Sequence, residues 1–212
     1  MTHTLYYVPG NASLFPHMLL REIGCPFELK LVDRDNLAHK QPDYLAMNPH
    51  GRIPVLVTDG RPLYETAAIG LFLADAYPQA GLAPPAGHPD RADHYKWMTL
   101  ISAVLQAEFR AWFYPHEYVV DPDFADQAKE AARARLTATF GRIADELATR
   151  DWLLPGGFSA ADLYLLMMVR WGRTLPSPIR EIGPLGAHAE RVLARPAVRK
   201  TFEVEGLAAP FF

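Results

Sequence analysis

Asn48-Pro49-His50-Gly51-Arg52-Ile53-Pro54-Val55-Leu56-Val57-Thr58-Asp59-Gly60-Arg61-Pro62-Leu63-Tyr64-Glu65-Thr66-Ala67-Ala68-Ile69 reads as strand, turn, strand and helix start. Val55-Leu56-Val57 is an apolar run, Asp59-Gly60 is turn chemistry, and Pro62-Leu63-Tyr64 is a second extended piece, so the two strands should pair antiparallel. A proline opening a strand has no N–H to give to a ladder. If the Ile53-Pro54 bond is cis, the N–H and C=O of Ile53 point outward, two partners for an extended ligand backbone. Glu65-Thr66 stands where the second strand gives way to a helix. A carboxylate and a hydroxyl there lie beside unpaired helix N–H groups and a positive dipole end. Such a place can hold a zwitterion, with its carboxylate on the amides and its ammonium on Glu65. An ordinary hairpin followed by a capped helix has the same local pattern, so the flanking chain must decide.

Upstream, Thr4 to Val8 is a short extended run followed by the turn residues Pro9-Gly10-Asn11. Ser13 introduces Leu14, Met18, Leu19 and Ile23 at helical spacing, and Gly24 ends the pattern. Phe27 to Val32 suits a second strand, which makes the opening a βαβ unit with parallel strands. A polar connection from Asp33 to Gln41 and a short helical piece at Pro42 to Met47 lead into the hairpin. The order is β-α-β-α-β-β-α, closing with a helix from Glu65 to Tyr77.

Downstream, Pro78 to Pro89 is rich in proline and glycine and reads as a linker. Beyond it only helical spacing is present: Asp90 to Trp112, Pro122 to Arg150, Ser159 to Arg173, and Leu185 to Glu205. Ser159 with Asp162 three residues on is a capping box, with Phe158 placed to staple against Leu163. That is a folding device and carries no chemistry. The expected division is residues 1–78 as an α/β domain, 79–89 as linker, and 90–212 as an all-α domain.

At 212 residues the chain can bury a sizeable core. A formal net charge of -3 and the lack of any basic run argue against a nucleic-acid surface. There is no apolar stretch of membrane-spanning length and no secretory leader pattern, so a cytoplasmic protein is expected, without membrane partners. The single cysteine, Cys25, excludes an intrachain disulfide framework and any Cys-x-x-Cys pair. Buried filler is its expected role, a reactive thiol the alternative.

A proline ahead of the third strand of such a domain, joined to an all-α domain, resembles the cytosolic glutathione transferase superfamily over essentially the whole chain. Asn48-Pro49-His50-Gly51-Arg52-Ile53-Pro54 is similar to that family's Asn-Pro-x-Gly-x-[Val/Ile]-Pro segment, and Glu65-Thr66-Ala67-Ala68-Ile69 to its glutathione motif. Ala38-His39-Lys40-Gln41-Pro42 resembles the Glu-His-Lys-Ser-Pro stretch of plant-like and many bacterial members. The Ser159 to Asp162 box, Arg195-Pro196-Ala197-Val198 and Glu205-Gly206-Leu207 are usual in bacterial members. The resemblance implies a thioredoxin-like N-terminal domain plus an all-α C-terminal domain, and a homodimer. It implies glutathione as co-substrate, no metal, and a small hydrophobic electrophile as second substrate. Glu65 and Thr66 would hold the γ-glutamyl end, Ile53 ahead of Pro54 the cysteinyl backbone, and His39, Lys40 and Arg52 the glycyl carboxylate. His50 matches a variable position.

The reacting sulfur must be a thiolate, although a free cysteine-type thiol titrates near ~8.5. Each unit of lowering requires about 1.4 kcal/mol of preferential thiolate stabilisation. Pro9-Gly10-Asn11-Ala12-Ser13-Leu14-Phe15-Pro16-His17 resembles the Pro-Gly-Ala-Cys-Ser-Leu-x-Pro-His of the bacterial beta class, with Ala12 where that class has its cysteine. Mixed-disulfide chemistry through that position is therefore absent. Ser13 is the first candidate donor to the thiolate and Asn11 the second, while Tyr6 or Tyr7 on the first strand could also reach. Ser13 has an ordinary alternative role as helix N-cap. For the electrophile, a pocket on the face between the domains is expected from Phe15, Phe109, Trp112, Phe113 and Tyr114, although such spacing is more often bundle core than ligand wall. Phe211-Phe212 could fold over a pocket or a subunit contact.

Overall fold

The computed structural model describes residues 1–212. Its N-terminal sheet has the order β2-β1-β3-β4, with β1 His3–Tyr7, β2 Phe27–Leu31, β3 Val55–Thr58 and β4 Arg61–Tyr64. β1 and β2 run parallel, whereas β3 is antiparallel to both β1 and β4. The β3–β4 hairpin turns at Asp59 and Gly60, both at positive φ (48° and 79°). Asp and Gly tolerate that conformation, and it matches the twist of the flanking strands.

Helix α1 spans Leu14–Ile23 and stops at Gly24, whose φ of 74° gives the left-handed C-cap. The short α2 is Pro42–Leu45, and α3 is Thr66–Ala76, one residue inside each expected end. The remaining helices are α4 Asp90–Leu100, α5 Ala107–Phe113, α6 Ala125–Leu147, α7 Ala160–Trp171, α8 Leu185–Leu193 and α9 Pro196–Val204. A wider π-type stretch, Ile101–Gln106, joins α4 to α5. The run of helical spacing from Leu185 to Glu205 is two helices. Pro196 cannot continue a helix from the preceding turn, and it forms the first position of a new one.

The chain forms two compact units, Met1–Pro85 with Leu193–Phe211, and Ala86–Val192 with Phe212. The last helix, assigned to the all-α part by sequence, thus belongs to the first unit, where α9 packs on α1. The first half of the proline-rich connection goes with it, anchored by buried Leu82. In the second unit α7 is buried on all sides from Ala160 to Arg170, the pattern of a central bundle helix. Leu163, Leu165 and Leu166 are fully buried there, each stabilising by about 2 kcal/mol.

The capping box forms as expected, with Asp162 accepting from the Ser159 N–H at 2.8 Å. Asp162 also accepts from the Leu153 N–H and from His188 Nε2, both at 2.9 Å, so it ties three segments together. The Phe158 ring meets Trp152 edge-on. Cys25 is only half-buried, which corrects the expected filler role. Burial still pushes its thiol up, against a smaller opposing effect from Tyr77, so it is no activated nucleophile. No helix is long and apolar enough to cross a membrane.

Candidate functional site

The sheet brings the four chemical segments to one edge. In the register, Tyr6 faces Val55 and Val55 faces Tyr64, so the end of β1, the start of β3 and the end of β4 share a row. Tyr7 faces Leu31, which adds the end of β2. The segments leaving this edge are Pro9 to Ser13, Asp33 to Lys40, Arg52 to Pro54, and Glu65-Thr66. A small apolar cluster of Val32, Tyr44 and Val55 anchors them, because Val8, Ala38, Ile53 and Tyr64 all pack on it. Each of these four residues lies within, or immediately before, one of the chemical segments. Packing against a common core fixes their relative positions.

The Ile53-Pro54 bond is cis. The Ile53 N–H and C=O make no hydrogen bond within the chain. The carbonyl just before them is fixed: Arg52 O accepts from Tyr44 Oη at 2.9 Å and from Asn48 Nδ2 at 2.8 Å. Burial raises the Tyr44 hydroxyl well above its ordinary range, so it stays protonated and donates. Asn48 opens the sequence motif and Tyr44 lies just ahead of it; both are supporting residues whose task the spacing alone does not disclose.

Gly51 sits at φ 55°, and a Cβ there would lie 2.8 Å from His39 O and 3.0 Å from the Lys40 side chain. The His39-Lys40 turn therefore closes directly on the Asn48 to Arg52 turn. Lys40 Nζ reaches His50 O at 3.5 Å, and the His50 ring stands edge-on to Tyr64. His39 is held below its ordinary range, first by burial and then by Lys40 and Arg34. At neutral pH it is uncharged, next to the cationic Lys40; Lys40 and Arg52 are both exposed.

Glu65 is exposed and occupies φ 73°, ψ 114°, outside the regions that a residue with a side chain normally adopts. Such a backbone costs on the order of 1–3 kcal/mol and persists where the surroundings over-determine it, which is common at ligand sites. Thr66, the first residue of α3, is buried. A carboxylate thus stands at a helix N-terminus whose first N–H groups have no intrahelical partner.

The turn after β1 rearranges the two candidate donors. Ser13 is fully buried, and its Oγ donates to Val8 O at 3.0 Å while accepting from Val8 N at 3.1 Å. It also makes no side-chain cap for α1. A hydroxyl has one proton to give, and this one is given to a carbonyl, so Ser13 supports the turn. Asn11 is partly exposed, and its Oδ1 accepts from the Ala12 N–H at 2.7 Å. That bond fixes the amide plane and leaves both Nδ2 hydrogens without a partner in the chain.

Of the aromatic candidates, Phe15 and Phe109 have no exposed surface. Phe109 stacks on Phe113 and meets Phe140 and Trp171 edge-on, which makes it bundle core. Trp112 is nearly buried, with Lys129 Nζ 4.6 Å from its ring centre. Phe113 is 41% exposed, and Tyr114 carries the Arg110 guanidinium at 5.3 Å. Phe211 meets Phe202 edge-on. No group of three His, Cys, Asp or Glu side chains is arranged to hold a metal ion.

Comparison with known proteins agrees with this geometry. Sequence profiles described as "Glutathione S-transferase, N-terminal domain" and "Glutathione S-transferase, C-terminal domain" match residues 13–76 and 126–197. Glutathione S-transferase GST-4.5 of Xanthomonas campestris pv. campestris is 34% identical, over 96% of this chain and 98% of its own. Glutathione S-transferase GstA of Escherichia coli O157:H7 is 31% identical over the same shares. A sphingomonad glutathione S-transferase solved in complex with glutathione is 35% identical and superposes with a TM-score of 0.84, covering 97% of this chain and 100% of that one. Two profiles in order, near-complete alignment to such relatives and a common fold show that this chain belongs to the glutathione S-transferase family of enzymes.

Proposed function

We propose that the chain binds glutathione along the sheet edge and delivers its thiolate to a hydrophobic electrophile. The observation that supports this reading is the unsatisfied backbone pair of Ile53, on the sheet edge from which Glu65-Thr66 and the turns carrying His39, Lys40 and Arg52 also leave. Glutathione has the matching sequence of groups. Its γ-glutamyl ammonium meets Glu65 and its α-carboxylate meets Thr66 and the first N–H groups of α3. Its cysteinyl backbone pairs with Ile53, ahead of Pro54. Its glycyl carboxylate meets Lys40 and Arg52 by charge and His39 by hydrogen bonding. The loop likeness to the beta class supports a sulfur beside the turn at Asn11 to Ser13.

In this reading Asn11 Nδ2 donates to the thiolate, and Ser13 holds the turn. A hydrogen bond that exists only with the anion lowers the thiol's titration point, which is how an amide activates sulfur without accepting a proton. The thiolate then forms a carbon–sulfur bond as the leaving group departs, or adds to an activated double bond that afterwards takes up a proton. Binding contributes proximity, and no covalent enzyme intermediate is required. The working form is a cytoplasmic homodimer.

Retention on immobilised glutathione, followed by turnover of a generic aromatic electrophile, tests the reading. Retention with turnover is expected. Retention without turnover would make the protein a glutathione-binding protein, and no retention would remove both readings.

A further inference from the structure

Two sequence features with no role so far, His17 of the turn-helix motif and Glu205 of the closing Glu205-Gly206-Leu207, meet in the interior of the first unit. Glu205 lies at the C-terminal end of α9, and the side chains of both residues are fully buried. Glu205 Oε1 accepts from His17 Nδ1 at 2.7 Å, and Oε2 accepts from the Gly10 N–H at 2.8 Å. On the other side of the ring, Arg21 Nε donates to His17 Nε2 at 3.0 Å. A guanidinium only donates, so Nε2 carries the lone pair and Nδ1 carries the hydrogen. The direction of every bond is thereby set: Arg21 to His17, His17 to Glu205, and Gly10 to the same carboxylate.

A buried carboxylate is costly unless its oxygens are partnered. Here one partner is the backbone of the residue before Asn11. Gly10 is at φ 68°, Asn11 N–H donates to Val8 O at 3.1 Å, and Leu14 N–H donates to Asn11 O at 2.9 Å. Val8 and Glu205 together therefore hold the turn at both ends of Gly10-Asn11. We propose that Glu205, oriented by His17, is a positioning residue for thiolate activation. The C-terminal segment of the chain fixes the backbone from which Asn11 presents its amide to the glutathione sulfur. This inference rests on the reading of Asn11 as the thiolate's donor.

The sign of the effect separates positioning from charge. Removing a buried negative charge near the sulfur favours the thiolate and lowers its titration point. Losing the hold on Gly10 misplaces the donor and raises it. Glu205→Gln keeps the shape, but its amide has one acceptor oxygen for two donors, so the bond to His17 or the bond to Gly10 is lost and the shared anchor is broken. His17→Phe breaks the bond to Glu205 and leaves the charge. His17→Asn restores a donor near the place of Nδ1.

The experiment is an ultraviolet pH titration of the glutathione thiol bound to the full-length protein, with kcat, KM for glutathione and thermal midpoint measured for each variant. Glu205→Gln and His17→Phe are expected to raise the thiol's titration point by about half a unit to one unit and to lower kcat about three- to tenfold, with KM within about twofold. His17→Asn is expected to recover at least half of the shift. If folded Glu205→Gln and His17→Phe titrate as wild type or lower, while Asn11→Ala titrates higher, the positioning role is overturned and the Asn11 reading stands. If Asn11→Ala itself leaves the titration unchanged, the reading beneath the proposal is overturned. A lowered thermal midpoint with an unchanged thiol titration, read below the transition, marks a purely structural network and also overturns it.

Discussion

The Ser13 hydroxyl is closed onto Val8, donating to its carbonyl at 3.0 Å and accepting from its N–H at 3.1 Å. Its burial is complete, so alanine at position 13 would leave the half-buried Val8 N–H without its partner, while the Val8 carbonyl keeps the Asn11 N–H. We expect Ser13→Ala to lower stability by about 2 kcal/mol, measured by denaturant unfolding. The thiol titration of bound glutathione should stay close to wild type below the unfolding transition. A stable Ser13→Ala protein with a strongly raised thiol would show that the hydroxyl acts on sulfur.

Gly51 couples two ligand-facing turns. A methyl group there meets His39 O at 2.8 Å and needs a positive φ that alanine disfavours. Gly51→Ala should push the His39-Lys40 turn outward and weaken the grip on the glycyl carboxylate. The expected result is a rise of about tenfold in KM for glutathione with kcat changed less than threefold. Equal losses in kcat and KM would point to a wider collapse of the edge.

Glu65 holds its carboxylate at the start of α3 from a φ of 73°. Glu65→Gln keeps the shape and one acceptor oxygen but loses the charge that faces the γ-glutamyl ammonium. Charge-assisted hydrogen bonds are about twice as strong as neutral ones, so KM for glutathione should rise roughly tenfold. Truncated ligands give the control. A glutathione analogue without the γ-glutamyl amine should bind the wild type and Glu65→Gln about equally.

His39 is held below the ordinary imidazole range by burial and by the nearby cations Lys40 and Arg34. In the folded protein without ligand it therefore binds fewer protons than in the unfolded chain, so its contribution to stability is present above the unfolded value of about 6.5 and is lost as pH falls through the lowered folded value. A ligand carboxylate placed against it acts in the opposite sense and raises it. Glutathione binding should then take up protons below about pH 6.5, and its affinity should improve modestly as pH falls. His39→Gln should flatten that part of the KM profile. An identical profile in wild type and His39→Gln would remove His39 from the carboxylate site.

Much of the fold was legible because local chemistry and topology agree. Asp59-Gly60 could only close a hairpin between two short strands, and Gly24 could only end a helix that began at Leu14. The site edge followed from those elements, since strand order places Ile53, Glu65 and the turn after β1 on the same row. Direction and distance were less legible. A serine before a helix is written the same way whether its hydroxyl caps the helix, faces a ligand or, as here, turns back to Val8. The contact between His17 and Glu205 spans 188 positions, and no local pattern encodes such a pairing. Pro196 marked a helix boundary within a run of helical spacing, and α9 left the helical unit to pack on α1 for the sake of buried surface that spacing does not reveal. The aromatic spacing from Phe109 to Tyr114 had two readings, and for Phe109 packing realised the core one.

The most direct test is a pH titration of the glutathione thiol bound to the wild-type protein and to Asn11→Ala, followed by thiolate absorbance. We expect a titration point at least one unit below that of free glutathione in the wild type, corresponding to about 1.4 kcal/mol of preferential thiolate binding, with most of that shift lost in Asn11→Ala. A bound thiol that titrates like free glutathione, or a shift that survives intact in Asn11→Ala, would contradict thiolate activation by Asn11.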